Sequence, residues 1–510
     1  MTVFHRLATM VLAMLSCITN AHAQGYDSYK KLVSDFLENR SYYCIDENVD
    51  LAGNTIKFPQ GAVIDFRGGK INNGKMVFND NTITGYSGIA DDVEIDGTVI
   101  GPLDLSVFDL RRNDKNYDIG EVLNKTNRIC KSIIVPEGSY YLQTPVVLEN
   151  IRFYEQFGNI IYNGKTTDIT VLKFFKALGA IINVNGKIAC DYKTGVVNYT
   201  KDKHTNIIGV EFANVNNSKV YIGDVEFFNN NIRISAYGAG NCYNQYTINL
   251  SVFSNEHLRI FQKDKPSKQI GWCNENVFIG GRFCNWSHFD WNQCESVAIR
   301  IEGAEHDDTY NGANSLLFIK PCMEGFKEFA VYAKNVTGCH WQDARTEGAG
   351  GFIKFVGDCR FNKLNSLYGT ENIDYTHCST YPLVLRDMHP VLTISDSINK
   401  VIEIDTKDAK VFKVVFNNSD AKARVGIHYL TDDTGCEIND NAKKEMMRPR
   451  SSSYPYSYYY NKNVAQWVLG ADSSETDFLI PDEVTQIRIS LTGQFSGATI
   501  YSNKPTRIIE

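Results

Sequence analysis

Short runs in which apolar and polar residues alternate recur along most of the chain, broken by Gly, Asn and Asp. In the N-terminal part they fall at residues 62–69, 75–78, 82–85 and 93–97, and this period of two predicts short β-strands. Residues 26–42 differ, because their apolar residues recur at the spacing of a helix. We therefore expect one helix followed by many short strands in the first part of the chain.

Between residues 270 and 370 the pattern becomes a repeat. Five glycines recur there with successive gaps of 23, 22, 23 and 21: Gly280, Gly303, Gly325, Gly348 and Gly369. Short apolar strands lie before and between them. Such a period indicates a solenoid, and the regular Leu and Asn positions of a leucine-rich repeat are missing. The pattern therefore predicts the coils of a parallel β-helix, in which equivalent positions stack about 4.8 Å apart.

The alternating runs become longer after residue 395, for example at 410–416 and 484–491. They predict a small antiparallel β domain of the sandwich type, which caps or packs against the rest of the protein. The predicted fold is all-β, a right-handed parallel β-helix with a C-terminal antiparallel β domain. Its predicted parts are a helix and short-strand cap region at 24–104, the β-helix at 105–394 and the β domain at 395–510.

Two segments resemble known β-helix proteins. Val135-Pro136-Glu137-Gly138-Ser139-Tyr140, preceded by a helix-like stretch from Ile119 to Ile129, resembles the opening of pectate-lyase-like β-helix proteins. That resemblance extends over roughly residues 105–375. Residues 271–283 are similar to a segment common in phage tailspikes and related bacterial proteins, which bind and cleave surface polysaccharides. The resemblance implies a parallel β-helix and a polysaccharide partner, but it assigns no catalytic residue.

Composition narrows the partner. The formal net charge of -7 argues against nucleic acid, since phosphate binding needs clustered Lys and Arg. A local basic groove on an acidic protein can still bind an anionic sugar polymer. An acidic polysaccharide is therefore the expected partner, and nucleic acid is not.

Residues 1–23 have the features of an export signal: Arg6, an apolar stretch from Leu7 to Ile18, and Ala21-His22-Ala23. They predict a secreted or periplasmic protein. The alternative is a lipid anchor at Cys17, since Leu15-Ser16-Cys17 loosely resembles a lipoprotein box. No later stretch reaches the ~18 apolar residues of a membrane span. The 13 cysteines are scattered without a CxxC pair, so we expect no zinc site and mostly buried thiols, with one or two disulfides left open.

Three of the repeat glycines follow a glutamate, namely Glu302, Glu324 and Glu347. If the register holds, these carboxylates form a column with neighbours ~5 Å apart. Stacked like charges favour a bound proton or cation. Arg345 lies two residues before Glu347 and so projects to the same face of a strand.

The same repeats carry other reactive side chains. The polar loop after Glu302 contains His306 and Tyr310, and the stretch from His340 to Glu347 is the densest group of reactive residues in the chain. Four of the five tryptophans also fall in this region, and indole rings stack on sugars. The expected substrate-binding residues are Trp286, Trp291, Asn292, Glu302, Glu324, Trp341 and Asp343.

These residues favour a polysaccharide lyase that acts on a uronate polymer of the glycosaminoglycan or pectic type. β-Elimination needs a group that neutralises the carboxylate, a base and an acid. The candidates are Arg345 as neutraliser, His340 or His306 as base, and Tyr310 as acid. The best-known pectate lyases use calcium-binding Asp residues with a catalytic Arg. Their full motif is not matched here, and calcium is the one candidate cofactor.

Two alternatives stay open. A glycoside hydrolase needs two carboxyl groups, ~5 Å apart for retention and ~6.5–9.5 Å for inversion. Glu324 with Glu347 fits retention, Glu302 with Glu347 comes near inversion, and Asp343 is another partner. The third possibility is a non-catalytic surface protein that binds glycan.

Overall fold

The structure is a computed structural model in which the described residues are 40–191, 206–263, 271–285, 296–304, 313–357, 359, 362–365, 368–369, 372–378, 389–395, 400–406, 409, 411–417, 424–430, 458–461, 464–468, 475–480, 484–493, 495–504 and 506–509. Two compact units divide the chain. The first comprises Met1–Trp272 and Gly281–Ile299, and the second comprises Cys273–Gly280 and Arg300–Glu510.

The first unit begins with parallel strands. They are β1 (Tyr42–Ile45), β2 (Val49–Asp50), β3 (Thr55–Lys57), β4 (Val63–Phe66), β5 (Ile71–Asn72), β6 (Gly74–Gly85), β7 (Val93–Val99) and β8 (Leu103–Asp104). Tyr42 lies opposite Val63, and Val63 lies opposite Thr82, so each of these steps along the chain completes one coil. The region predicted as a cap is therefore already coiled. The predicted helix at 26–42 lies outside the described residues up to 39, and Tyr42 is in a strand.

A short 3-10 helix (Leu105–Val107) and helix α1 (Ile119–Ile129) follow. The bounds of α1 confirm the helical stretch expected from the sequence. Asp118 caps this helix by accepting a hydrogen bond from the Gly120 backbone N–H at 2.9 Å. Its carboxylate also accepts from the backbone N–H groups of Gln143 and Thr144 at 2.9 and 2.8 Å. Asp118 thereby ties the start of the helix to the coil that follows it.

The next strands build the main coils of the first unit. They are β9 (Ser132–Val135), β10 (Ser139–Leu142), β11 (Val146–Glu149), β12 (Phe153–Gln156), β13 (Asn159–Tyr162), β14 (Thr170–Phe175), β15 (Ile181–Cys190), β16 (Ile208–Ala213), β17 (Lys219–Glu226), β18 (Asn230–Tyr237), β19 (Gln245–Val252) and β20 (Glu256–Lys263).

These strands pair in parallel only with strands of the neighbouring coils. One sheet runs in the order β8-β9-β12-β15-β17-β19 and another in the order β11-β14-β16-β18-β20. Aromatic residues stack along the interior, as where the rings of Phe174 and Phe212 lie 5.1 Å apart and nearly parallel. Asn214 and Asn217 adopt the left-handed backbone conformation at the turns. The predicted parallel β-helix is thus confirmed, while its right-handed sense stays a prediction.

The second unit continues this pattern. Its parallel strands are β21 (Cys273–Asn274), β22 (Val277–Cys284), β23 (Val297–Glu302), β24 (Ala313–Asn314), β25 (Leu317–Ile319), β26 (Cys322–Glu324), β27 (Phe329–Lys334), β28 (Val336–Thr337), β29 (His340–Gln342), β30 (Arg345–Glu347), β31 (Gly351–Gly357), β32 (Lys363–Asn365) and β33 (Ile373–Cys378). The end of β22 and the start of β23, within Gly281–Ile299, belong to the first unit. Leu317, His340 and Lys363 lie opposite one another on successive coils and are evenly spaced along the chain.

The C-terminal strands are antiparallel, as predicted. They are β34 (His389–Ile394), β35 (Lys400–Asp405), β36 (Val411–Asn417), β37 (Arg424–Leu430), β38 (Tyr458–Asn461), β39 (Val464–Val468), β40 (Glu475–Leu479), β41 (Gln486–Thr492), β42 (Gly497–Ser502) and β43 (Arg507–Ile509). They form two sheets, β34-β42-β36-β40 and β38-β39-β37-β41-β35-β43. Both contribute to one apolar core, with Phe412 and Val414 from the first sheet and Ile427 and Ile489 from the second.

The nine cysteines whose surroundings the structure describes are all free thiols, and eight of them are buried. Within the described part of the chain, no helix is both long and apolar enough to cross a membrane.

Candidate functional site

The predicted cluster from His340 to Glu347 occupies two consecutive strands of one coil. Strand β29 is followed by a turn at Asp343, whose φ of 52° lies in the left-handed region, and then by β30. Side chains alternate along both strands, so His340, Arg345 and Glu347 project outward while Trp341 and Thr346 point into the core. The structure therefore brings part of the predicted site to one outer surface.

Glu324 and Glu347 are the two members of the predicted carboxylate column that do stack. They are register partners on β26 and β30, which places them on neighbouring coils at the strand spacing of about 4.8 Å. The Arg345 guanidinium forms an ion pair with the Glu347 carboxylate. Both side chains are about half exposed, and the Cys322 thiol donates to Glu324 Oε1 at 3.3 Å.

Glu302 does not belong to this column, so the prediction of three stacked carboxylates is wrong. Glu302 ends β23, and the next backbone N–H, of Gly303, donates to the Lys334 carbonyl of β27 at 2.9 Å. It therefore lies in the sheet of β27 and β31, where Arg300 is 3.6 Å away. The reason is unequal coil length, since the segment that leads from β22 to its partner β25 is much longer than the segment from β25 to β29.

His340 lies between Leu317 and Lys363 of the two flanking coils. Burial and then the charge of Lys363 lower the pKa of its imidazole. The ring Nε2 is buried and has no hydrogen-bond partner among the described residues. The imidazole is thus held in the neutral form that a general base requires at neutral pH.

Tyr368 extends the cluster, although the sequence analysis did not select it. It pairs with Arg345 through an isolated bridge, and its carbonyl accepts from the Thr346 N–H at 2.9 Å. Tyr368 is 61% exposed, so it is open to a ligand. The even spacing of Cys322, Arg345 and Tyr368 along the chain is the signal that could have identified it.

Trp341 is not a sugar-binding residue, and that prediction is wrong. Its side chain is fully buried and stacks on Phe318 with ring centroids 5.3 Å apart. Phe318 stacks in turn on Phe278, and Phe355 meets Trp341 edge-on. A side chain enclosed in this aromatic stack offers no face to a saccharide.

The remaining predicted residues lie outside the described residues and stay predictions. They are His306, Tyr310, Trp286, Trp291 and Asn292, together with the export signal and Cys17.

A second outward-facing group lies in the first unit and was missed. Lys173, Glu211, Arg233 and Arg259 are register partners on β14, β16, β18 and β20, so they form one column across four coils. The intervals between them along the sequence are unequal. No fixed period connects them, and the column becomes visible only once the strands are paired.

Metal binding has little support in the described part of the chain. No group of three or more His, Cys, Asp or Glu residues there could hold a metal ion. Calcium as a cofactor therefore stays a prediction.

Comparisons with known proteins give no family. No protein family matches the sequence. No curated protein is similar to it either. Solved structures with a similar fold include Pantoea stewartii WceF, described as a glycan biofilm modifying enzyme with a tailspike-like parallel β-helix fold, at 7% identity and a TM-score of 0.32. That match covers 80% of this chain, which spans only 60% of the length of the Pantoea protein.

Two phage proteins are also similar. The enzymatically active domain of bacteriophage CBA120 tailspike protein 4 has 11% identity and a TM-score of 0.23, covering 80% of this chain and 68% of that one. A double mutant of the tailspike protein of E. coli bacteriophage HK620 has 9% identity and a TM-score of 0.31, covering 91% and 89%. Likenesses this weak assign neither a site nor an activity to this chain.

Proposed function

We propose that the protein is exported and cleaves a uronate-containing polysaccharide by β-elimination at the outer surface formed by His340, Lys363, Arg345 and Tyr368. The observation that carries this proposal is the half-buried imidazole of His340, opposite Lys363 on the neighbouring strand, with a pKa that burial and the charge of Lys363 lower. A base next to a cation is the arrangement that elimination from a uronate requires.

Each residue has a role in the proposed step. Lys363 neutralises the uronate carboxylate, which acidifies the proton on the adjacent carbon. His340 removes that proton through Nδ1, since its Nε2 is buried. The electron pair forms a carbon–carbon double bond, and the bond to the O4 substituent breaks. We expect the hydroxyl of Tyr368 to protonate the leaving oxygen. Tyr310, which lies outside the described residues, stays the alternative for this role. Arg345 is a weaker neutraliser than the sequence indicated, because Glu347 already compensates its charge.

The test measures two signals on one acidic polymer, the ultraviolet absorbance of unsaturated uronate and the formation of new reducing ends. We expect His340→Gln to lower both rates by about 10²-fold or more, which is the usual contribution of a general base. The matched control is His389→Gln, the same substitution at an exposed histidine of the antiparallel domain. Elimination at an unchanged rate in His340→Gln would rule out this base.

A retaining glycoside hydrolase is the second candidate, and the register of Glu324 with Glu347 favours it. Two carboxyl groups about 5 Å apart act as nucleophile and acid/base in such enzymes. Arg345 would stabilise Glu347 as the carboxylate nucleophile, which leaves Glu324 as the acid. Reducing ends would then form without ultraviolet absorbance, and Glu324→Gln and Glu347→Gln would each abolish them. Glu302→Gln is the matched control, since Glu302 lies in a different sheet.

We also propose that the protein is exported, and that the mature protein is secreted or periplasmic. N-terminal sequencing of the mature protein tests it, and we expect the first residue to be Gln24. A mature N-terminus at Cys17 would support the lipid-anchored alternative. Binding to glycans with neither kind of cleavage would support the non-catalytic alternative.

A further inference from the structure

The outer side of β14, β16, β18 and β20 carries an unusual charge arrangement for an acidic protein. Lys173, Glu211, Arg233 and Arg259 follow one another on adjacent coils, about 4.8 Å apart. We call these four residues the charged column. Its centre is buried, with Glu211 1% and Arg233 8% exposed, whereas the side chains of Lys173 and Arg259 at its ends are 24% and 23% exposed.

Glu211 is saturated by neighbours other than Arg233. Its carboxylate accepts hydrogen bonds from Ser235 Oγ and Tyr237 OH, both at 2.6 Å, and from Thr170 Oγ1 at 3.1 Å. Lys173 Nζ forms an ion pair with it at 3.2 Å. Burial alone would raise the pKa of Glu211, but these hydrogen bonds and the nearby cations hold it below its ordinary value. Glu211 is therefore an anion whose hydrogen-bonding capacity is already used.

Arg259 is also partnered. Its guanidinium lies 3.4 Å from the Glu256 carboxylate and above the ring of Phe261. Phe261 in turn meets the ring of Tyr237 edge-on, with centroids 6.5 Å apart. The side of the column toward β20 thus presents aromatic rings next to a compensated cation.

Arg233 is the exception. Its Nε is buried and has no hydrogen-bond partner among the described residues, and its charge acts on Glu211, its register partner on β16. A guanidinium carries five donors, and leaving a buried donor without an acceptor is costly. An anionic ligand would supply the missing acceptor. Arginine is suited to the task because its planar fork binds carboxylate and sulfate groups in a bidentate manner.

We propose that Arg233 anchors a binding subsite for the carboxylate or sulfate group of an acidic saccharide, with Tyr237 and Phe261 contacting the sugar ring. The choice of a saccharide rests on the proposed function, whereas the anion specificity rests on this column alone. The subsite binds and does not cleave. It therefore raises affinity for the acidic polymer without contributing to the chemical step.

The first test is stability. In buffer without oxyanions, Arg233→Gln should unfold at about the same temperature as the wild type, because the lost attraction to Glu211 is offset by removal of a buried charged donor that has no hydrogen-bond partner. Adding an oligogalacturonate or a sulfated disaccharide should raise the unfolding temperature of the wild type more than that of Arg233→Gln, in which only the site at His340 and Lys363 still binds. A purely structural arginine predicts the reverse, namely a variant that is less stable in every buffer. Arg152→Gln, at an exposed arginine of the same unit, is the control.

The second test is calorimetric binding, made with His340→Gln so that the ligand is not cleaved. We expect Arg233→Gln in that background to bind the oligogalacturonate at least 10-fold more weakly, and a neutral oligosaccharide of equal length to bind neither protein tightly. If sodium sulfate alone binds as tightly as the oligogalacturonate, the site binds any oxyanion and the saccharide assignment is wrong. Unchanged affinity in the variant would overturn the subsite itself. Arg233→Lys replaces Arg233→Gln if the latter fails to fold, and it should bind weakly because it loses the bidentate fork.

The two proposals fail separately. If elimination is never observed but Arg233 still controls binding, the proposed lyase function is wrong and the subsite stands. If Arg233→Gln changes neither affinity nor KM while elimination persists, the subsite is wrong and the lyase function stands.

Discussion

At the scale of single residues, the interior of this protein is polar in selected places. His257 is fully buried between Ser251 Oγ and Asn285 Oδ1, at 2.9 and 3.1 Å from its two ring nitrogens. Burial lowers the pKa of its imidazole to about 3, so it stays neutral in the folded protein. Burial also lowers the pKa of His340, the base that we propose.

His257 makes a prediction about pH. Its pKa is about 6.5 when unfolded, so between pH 6.5 and pH 3 the unfolded chain binds a proton that the folded chain does not. Stability therefore falls as the pH is lowered, by about 1.4 kcal/mol per pH unit for this group. Between pH 7 and pH 5 the free energy of unfolding of the wild type should therefore fall by about 2 kcal/mol more than that of His257→Gln. Urea unfolding at the two pH values measures this difference.

Substitution of the exposed His389 by Gln should leave that pH dependence unchanged. Equal losses in the wild type and His257→Gln would show that His257 takes up its proton within the fold.

The orientation of a side chain can be predicted from the sequence where its neighbours along the chain decide it. His340, Arg345 and Glu347 could be selected because they alternate with apolar residues on predicted strands. Trp341 was misassigned because its aromatic character was weighed above its position, although the strand alternation puts it inward. The unsatisfied Nε of Arg233 could not be predicted from the sequence, since it depends on residues of the two neighbouring coils, which are distant in the sequence.

At the scale of elements, coil length decides what the sequence can predict. Glu324 and Glu347 stack as expected because successive coils there have the same length. Glu302 does not stack with them because the coil that contains it is longer, and Gly303 pairs with β27 in a different sheet. Helix α1 was predictable to the residue because its cap and apolar face are both local.

The cap of α1 supplies a stability prediction. Asp118 accepts three backbone hydrogen bonds, and one of its acceptor oxygens joins the helix to the following coil. Asp118→Ala should lower the free energy of unfolding by about 2 kcal/mol, as the loss of a cap with additional partners does. Chemical unfolding measures it, with Asp92→Ala at an exposed position as the control. A loss no larger than that of the control would mean that water replaces these contacts without cost.

At the scale of the whole molecule, a net charge of -7 must be reconciled with the anionic partner that we propose. The described residues offer local cations for this purpose, Lys363 with Arg345 in the second unit and Arg233 in the first. Local positive groups on an acidic protein favour binding of the correct polymer while general attraction to polyanions stays low. The fold class and the antiparallel domain were predictable from periodicity, and so is the stacking around His340 and Arg345, where successive coils are equal in length. The charged column of the first unit depends on contacts between coils that no period encodes.

The most direct test of elimination compares one acidic polysaccharide with the same polymer after chemical reduction of its carboxyl groups. Ultraviolet absorbance of unsaturated uronate and new reducing ends are followed together in each. We predict that both signals rise in parallel on the acidic polymer and that neither rises on the reduced one, because without a carboxylate there is no acidic proton for His340 to remove. Reducing ends that form on either polymer without ultraviolet absorbance would contradict elimination and identify hydrolysis at Glu324 and Glu347 instead.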